Sequence, residues 1–185
     1  SIQDNRFAYR KNVLPTSMHP SQAALIVSLA KPYLKETAQI MDPFCGVGTL
    51  LIERAHLVPA REIYATDTYG DAITMGRENA ALAKTRINFI HRDFFDFRHD
   101  YKFDELITDM PVRNRQTKAE MELFYERFFD KAAEHLVSGG IIVMYSNEIG
   151  FVKKQIRLRV EYRLLQETCI LDKKDFYLFV IRYED

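Results

Sequence analysis

Short, solid apolar runs alternate along this chain with longer stretches whose apolar positions recur every three or four residues. The runs "AQIMDPF", "EIYATD", "INFIHRDF", "FDELITDMP" and "GGIIVMYSN" are each closed by an acid, a proline or a polar turn, and they predict five strands. The helical period appears first in "SMHPSQAALIVSLAKPYL", which predicts a helix from near Pro20 with Ala24, Leu25 and Leu29 on one face and Pro32 disturbing its end. It returns in "GTLLIERAHLV", then in "DAITMGRENAALAK" with Asp71 as N-cap. "AEMELFYERFFDKAAEHL" repeats it with Leu123, Phe124, Phe128 and Ala132 as the apolar stripe, and "EIGFVKKQIRLRV" predicts a last helix. The tail holds two further strands, "YRLLQETCIL" and "DFYLFVIRYE", joined by the polar turn Asp172-Lys173-Lys174-Asp175.

Strand–helix alternation that ends in a hairpin predicts a doubly wound α/β fold. Its sheet should be largely parallel and seven-stranded, with an antiparallel C-terminal edge. Ligands of such sheets sit at the carboxyl ends of the strands, so Asp42, Asp67 and Asp109 mark the ends that matter. At 185 residues the chain is long enough for one domain with a substantial core and short for two. The 26 basic and 26 acidic residues cancel, so a partner bearing phosphates must be met by a local patch or by another domain. No run of about 18 apolar residues is present, and "SIQDNRFAYRKNVLP" lacks the apolar core of a signal peptide. Cys45 and Cys169 have no metal-ligand spacing, and a reducing cytoplasm in which they stay unpaired is the expected setting.

The stretch "IMDPFCGVGTLLIE" carries the first chemistry. Gly46 and Gly48 allow a tight turn and close approach of backbone to a ligand. A dinucleotide fingerprint would want a third glycine where Leu51 stands, and a phosphate loop would want Gly-Lys-Ser/Thr. Asp42, four residues before Gly46, would repel a pyrophosphate and attract an ammonium or sulfonium group. Asp67 ends the next strand 25 residues on, near the spacing at which an acid meets a ribose. Asp93 follows the third strand, placed to accept from an adenine amino group with Phe94 against the ring. Each acid alone could be a cap or a solvated charge; three on successive strand ends point to S-adenosyl-L-methionine.

At this point the sequence resembles a known group. "MDPFCGVGTLLIE" is similar to the cofactor motif of the RNA guanine-N2 methyltransferases whose catalytic domain usually follows a THUMP domain, where it reads Asp-Pro-Phe-Cys-Gly-Ser-Gly-Thr. "YRKNVLPTSMHPSQAALIVSLA" is similar to that domain's N-terminal lead segment, "ATDTYGDAITMGRENA" to its ribose-binding strand and following helix, and "YERFFDKAAEHLVSGG" to the helix and turn before its fifth strand. The likeness runs to about Ser146. It implies a Rossmann-like methyltransferase fold over residues 38–185, with residues 1–37 packing on it as lead segment and first helix. It also implies cofactor contacts from Asp42, Phe44, Cys45, Gly46, Gly48, Thr49, Asp67, Thr68, Asp93 and Phe94.

After the fourth strand the family has Asn/Asp-Pro-Pro-Tyr/Phe. Here Asp109-Met110-Pro111-Val112 stands in its place, followed by Arg113, Asn114 and Arg115. The acid and second proline match; the first proline and the aromatic do not. An exocyclic amine is a poor nucleophile because its lone pair is drawn into the ring. Asp109 and the Met110 carbonyl could accept its protons and turn the lone pair toward the methyl, with Pro111 holding the turn and positioning supplying much of the rate. The family aromatic stacks on an extruded base. Val112 cannot, and such stacking is worth roughly 1–3 kcal/mol. Either another ring (Phe94, Phe95, Phe7 or Tyr9) replaces it, or the target differs, or the domain is a cofactor-binding or RNA-docking module without catalysis. C5-pyrimidine chemistry would need a nucleophilic cysteine, and none follows Pro111; Cys45 reads as a small packed thiol and Cys169 as core.

Arg113, Arg115 and Lys118 could hold an RNA backbone. Lys153, Lys154, Arg157 and Arg159 read as a solvated helix face, His19 as a cofactor-side or helix-start residue, and the other histidines have no metal spacing. The expected function is methylation of an RNA base amine, guanine N2 in tRNA or rRNA, by a cytoplasmic enzyme that borrows RNA affinity from a further domain or partner chain. The rivals are a DNA or protein amino-methyltransferase and, against the glycine pattern, a nicotinamide-dependent oxidoreductase.

Overall fold

A computed structural model of the chain describes residues 6–10, 13–14 and 17–185. Lys11, Asn12, Pro15 and Thr16 of the lead segment lie outside them, as do residues 1–5. The chain divides into two compact units, one ending at Phe94 and the other spanning Phe95–Asp185.

In the first unit, helix α1 (Pro20–Ala30) precedes three parallel strands, β1 (Gln39–Asp42), β2 (Glu62–Asp67) and β3 (Asn88–His91), in the order β3-β2-β1. Helices α2 (Thr49–Leu57) and α3 (Gly70–Leu82) are the crossovers. β1 is buried at all four positions, which is why it reads as an unbroken apolar run. α1 starts where expected: His19 is its N-cap, accepting from the Ser21 N–H, and Pro20 sits in the first turn, where a missing N–H costs nothing. Pro32 ends it in a 3-10 turn, Lys31–Tyr33. Its buried face differs from the expected one. Ala23, Ile26, Val27 and Ala30 face inward, while Leu25 is 47% exposed. Eight consecutive small or apolar residues, Ala23 to Ala30, admit two helical stripes, and burial against α2 selects the one that the leucines do not mark. Asp71 does not cap α3 either. Tyr69 holds the cap position, and Asp71 accepts from its hydroxyl at 3.0 Å from inside the first turn.

In the second unit, β4 (Phe103–Asp109) and β5 (Leu136–Ser146) are parallel; β7 (Tyr177–Tyr183) runs antiparallel to β5 and β6 (Tyr162–Cys169) antiparallel to β7. Helices α4 (Lys118–His135) and α5 (Ile149–Leu158) flank them. β5 begins three residues earlier than the glycine pair suggests, because residues 137–140 loop out of register around Gly139 at φ +89°. The buried face of α4 is Met121, Tyr125, Phe128, Phe129 and Ala132; Leu123, expected in the stripe, is 53% exposed. Cys169, expected in the core, is exposed on an edge strand. Parallel strand pairs, helical crossovers and an antiparallel C-terminal pair make this the α/β fold that the alternation predicts. Among the described residues no helix is long and apolar enough to cross a membrane.

Candidate functional site

β1 ends at Asp42, and residues 43–48 turn the chain into α2. Gly46 and Gly48 both take left-handed backbone, φ +52° and +86°, a conformation costing a side-chain-bearing residue roughly 1–2 kcal/mol. The turn is tied on every side. The Asp42 Oδ1 accepts from the Phe44 N–H at 3.0 Å, the Cys45 N–H donates to the Thr66 carbonyl at 3.0 Å, and the Gly48 N–H donates to the Cys45 carbonyl at 2.9 Å. Buried Thr66 donates through its hydroxyl to Pro43, and buried Asn79 through its amide to Val47. A Cβ on Gly48 would come within 3.1 Å of the Phe89 ring, whereas one on Gly46 would meet nothing within 4 Å. The turn is packed beneath Gly48 and open beside Gly46.

Asp67 completes it. Its Oδ2 accepts from the Gly46 N–H and its Oδ1 from the Tyr69 N–H, both at 2.9 Å. The acid of the second strand thus clamps the glycine turn of the first, and each oxygen keeps a second acceptor site. Thr68 is exposed, its carbonyl 2.9 Å from His91 Nε2, which must carry the proton since a carbonyl only accepts. Asp93 lies two residues beyond β3 and is half-buried. Asp42 is 2% exposed, so its carboxylate serves its own turn first. Cys45 is buried, and its thiol is pushed well above the ordinary range by burial and then by the Asp42 and Asp67 carboxylates; it is a packed thiol, not a nucleophile.

In the second unit Asp109 ends β4, and the Met110 N–H extends the ladder by donating to the Tyr145 carbonyl at 2.9 Å. The Met110 side chain is buried, and everything from Pro111 to Arg115 is exposed, Val112 by 51%. Burial pushes the Asp109 carboxyl up to about 7. Buried Tyr125 and Ser146 pair through their hydroxyls at 2.6 Å, and the Glu148 N–H donates to the same Ser146 oxygen. Burial raises the Tyr125 phenol, with the Glu148 and Asp109 carboxylates adding to it.

Of the four rings considered as replacements for the missing aromatic, two are committed elsewhere. The Tyr9 hydroxyl donates to buried Glu53 at 2.6 Å, and Phe94, 1% exposed, meets Phe44 edge-on at 5.9 Å. Phe94 is therefore floor rather than a free stacking face. Phe7 and Phe95 each carry an arginine over one face, Arg6 at 4.9 Å and Arg127 at 4.4 Å. Lys153, Lys154 and Arg159 pair with Glu167, Glu122 and Asp130, as a solvated helix face should. Sequence reasoning missed Phe89, Thr66, Asn79 and the Tyr125–Ser146 pair. One signal was legible: Gly76 sits mid-helix, where a Cβ would come within 2.6 Å of Phe89.

The profile of the RMKL-like methyltransferase domain family matches residues 8–168. The chain belongs to this family. The tRNA (guanine(10)-N2)-dimethyltransferase of Methanothermobacter thermautotrophicus is 32% identical over 157 residues, covering 81% of this chain and 46% of that protein. The release factor glutamine methyltransferase of Lactococcus lactis is 25% identical over 155 residues, covering 74% of this chain and 56% of that one. The methyltransferase domain spans about half the length of these relatives. Among solved structures, TrmN from Thermus thermophilus superposes with a TM-score of 0.78 at 21% identity over 97% of this chain and 52% of its own. Trm5 from Methanocaldococcus jannaschii, solved with adenosine, gives 0.68 at 20% identity over 91% and 51%. These likenesses establish the Rossmann-like methyltransferase fold.

S-adenosylmethionine is the cofactor of such a domain, and the donor set suits it. The turn offers carboxylates and an open glycine backbone, and no lysine or arginine lies between Ile40 and Thr49 to meet a pyrophosphate.

Proposed function

We propose that the methyltransferase domain methylates an exocyclic amine of an RNA base, guanine N2 of tRNA or rRNA being the favoured target. Asp67 would accept from the ribose hydroxyls and Asp93 from the adenine amine, with Phe44, Cys45, Gly46, Gly48, Thr49, Thr68 and Phe94 shaping the turn and its floor and Asp42 supplying negative charge. Bound S-adenosylmethionine supplies an electrophilic methyl on a sulfonium. The observation that carries the reading is the end of β4: an acid in reach of solvent, then a Met110 whose N–H is spent on the Tyr145 ladder. Asp109 and the Met110 carbonyl would take the amine protons, Pro111 would hold the turn, and Val112, Arg113 and Arg115 would border the base and its phosphates.

Methyl incorporation from tritiated cofactor into unfractionated tRNA and rRNA, followed by nucleoside digestion, tests this; N2-methylguanosine is the expected product. Clean absence of incorporation alongside calorimetric binding of S-adenosylhomocysteine would replace the enzyme with a docking module. A second reading rests on Val112. A side-chain amide or amine on a protein needs no aromatic platform, and the likeness to a release factor glutamine methyltransferase supports this reading. Label in a protein band rather than RNA would favour it. The reading also places the domain in the cytoplasm, with RNA affinity supplemented by a further domain or partner chain.

A further inference from the structure

At the ends of β2 and β3 opposite the Asp67 turn, a cleft of about 440 Å³ opens in the first unit. Six residues decide its character: His56, Arg61, Glu62, Lys84, Thr85 and Arg86. Two helices end beside it, α2 at Leu57 and α3 at Leu82, and helix C-termini attract cations. That demand is already met. Buried Arg54 donates to the Val58 and Pro59 carbonyls behind α2. Backbone N–H groups of Ala83, Lys84 and Thr85 close the carbonyls of α3, and His56 Nε2 reaches the Ala83 carbonyl at 3.2 Å. The side chains of Lys84 and Arg86 take no part in this, and among the described residues neither forms a hydrogen bond or ion pair. Arg61 is held by the Gln39 side chain, a neutral partner, at 3.2 Å. The one acid, Glu62, is engaged by the Tyr64 hydroxyl.

The contrast with α5 is what makes the cleft unusual. There, three of four cations are matched to carboxylates. Here three cations and one acid line a concavity with no ion pair among them, a local excess of two positive charges on a chain whose formal charge is zero. Lys84 also adopts φ +55° at the residue closing α3, a place that glycine usually takes. We infer that this cleft binds the phosphate backbone of the RNA substrate, at a point remote from the nucleotide being modified. β2 separates it from the Asp67 turn by about 17 Å, five steps of roughly 3.3 Å, so it reaches phosphates away from the cofactor turn. The inference rests on the proposal that the substrate is RNA.

The test uses direct binding of unfractionated tRNA by the full chain, measured as a function of KCl, for wild type and for Lys84→Glu/Arg86→Glu. A control pair, Lys153→Glu/Arg157→Glu, makes the same change in net charge on α5. The cleft variant should weaken tRNA binding on the order of tenfold at 0.15 M salt and lower the salt slope by about 1.5, the share of two phosphates, with unchanged thermal melting and unchanged S-adenosylhomocysteine affinity. An unchanged slope, or an equal loss in the control pair, overturns the inference. Capture of inorganic phosphate by wild type and not by the variant, with tRNA affinity equal in both, reassigns the cleft to a free anion and also overturns it. Because the readout is binding, a protein that shows these slopes yet methylates no RNA sinks the proposed reaction and leaves the cleft standing.

Discussion

A carboxyl that titrates near 7 at the end of a buried strand changes with pH both what the site can do and how stable the fold is. Only the ionised form of Asp109 accepts two amine protons without competing as a donor, so methyl transfer should climb between pH 6 and 8. The Asp109→Asn enzyme, whose amide oxygen does not titrate, should show a flat profile over that range in initial-rate measurements. The stability effect has the opposite sign. Burial raises this carboxyl above its unfolded value of about 3.9, so between pH 4 and 7 the unfolded chain ionises while the folded one holds its proton. Folding therefore loses stability as pH rises through that window and regains none above it. The loss is on the order of 4 kcal/mol. Asp109→Asn should thus melt higher than wild type at pH 8.5 and almost level with it at pH 4; equal melting temperatures at both pH values would refute the buried-carboxyl account.

Elements carry the next layer. α3, β3 and the glycine turn meet on one ring, because Phe89 lies under Gly48 and against Gly76. Gly76→Ala would drive a methyl to 2.6 Å from that ring. We expect a loss of about 1–3 kcal/mol in urea unfolding together with weaker S-adenosylhomocysteine binding, since the same ring packs against Gly48 of the turn. Tyr9 ties the lead segment to α2 through buried Glu53. Tyr9→Phe leaves that carboxylate without the phenol donor and should cost about 1–3 kcal/mol, read by the same titration. These joints also mark the limit of what the chain makes legible beforehand. Strand positions and the acids ending β1, β2 and β4 follow from apolar runs stopped by a carboxylate, a signal local in sequence. Which stripe of α1 or α4 faces inward does not follow, because Leu25 and Leu123 satisfy the helical period as well as Ile26 and Tyr125, and only the neighbouring element decides. Asp71 reads as a cap because acids favour helix starts, yet the cap falls two residues earlier, at Tyr69. Thr66 and Asn79 give no signal at all, their partners being backbone carbonyls 23 and 32 residues away.

For the whole molecule, charges that sum to zero and a pI near 6.9 leave pH-dependent stability to a few buried groups rather than to net repulsion. Asp109 favours the fold increasingly as pH falls from 7 to 4. The group that opposes it is His135, packed against the Phe97 ring at 5.3 Å and the Phe103 ring at 6.4 Å. Burial, and then the Lys131 ammonium, hold its imidazole below the ordinary value. A histidine kept neutral in the fold and free to protonate when unfolded stabilises the folded state only at higher pH, so stability should fall as pH drops below about 6.5. Lys131 is itself mostly buried and paired with Glu134 at 3.1 Å. His135→Phe keeps the aromatic packing and removes the titration. With only Asp109 left titrating, the melting temperature should rise more steeply than in wild type as pH falls from 6.5 to 5, and Asp109→Asn, with only His135 left, should make it fall over the same range. If a single substitution abolished both dependences, the two groups would not be titrating independently, and stability would have to be governed by a property of the whole charge distribution that neither burial nor these neighbours describe.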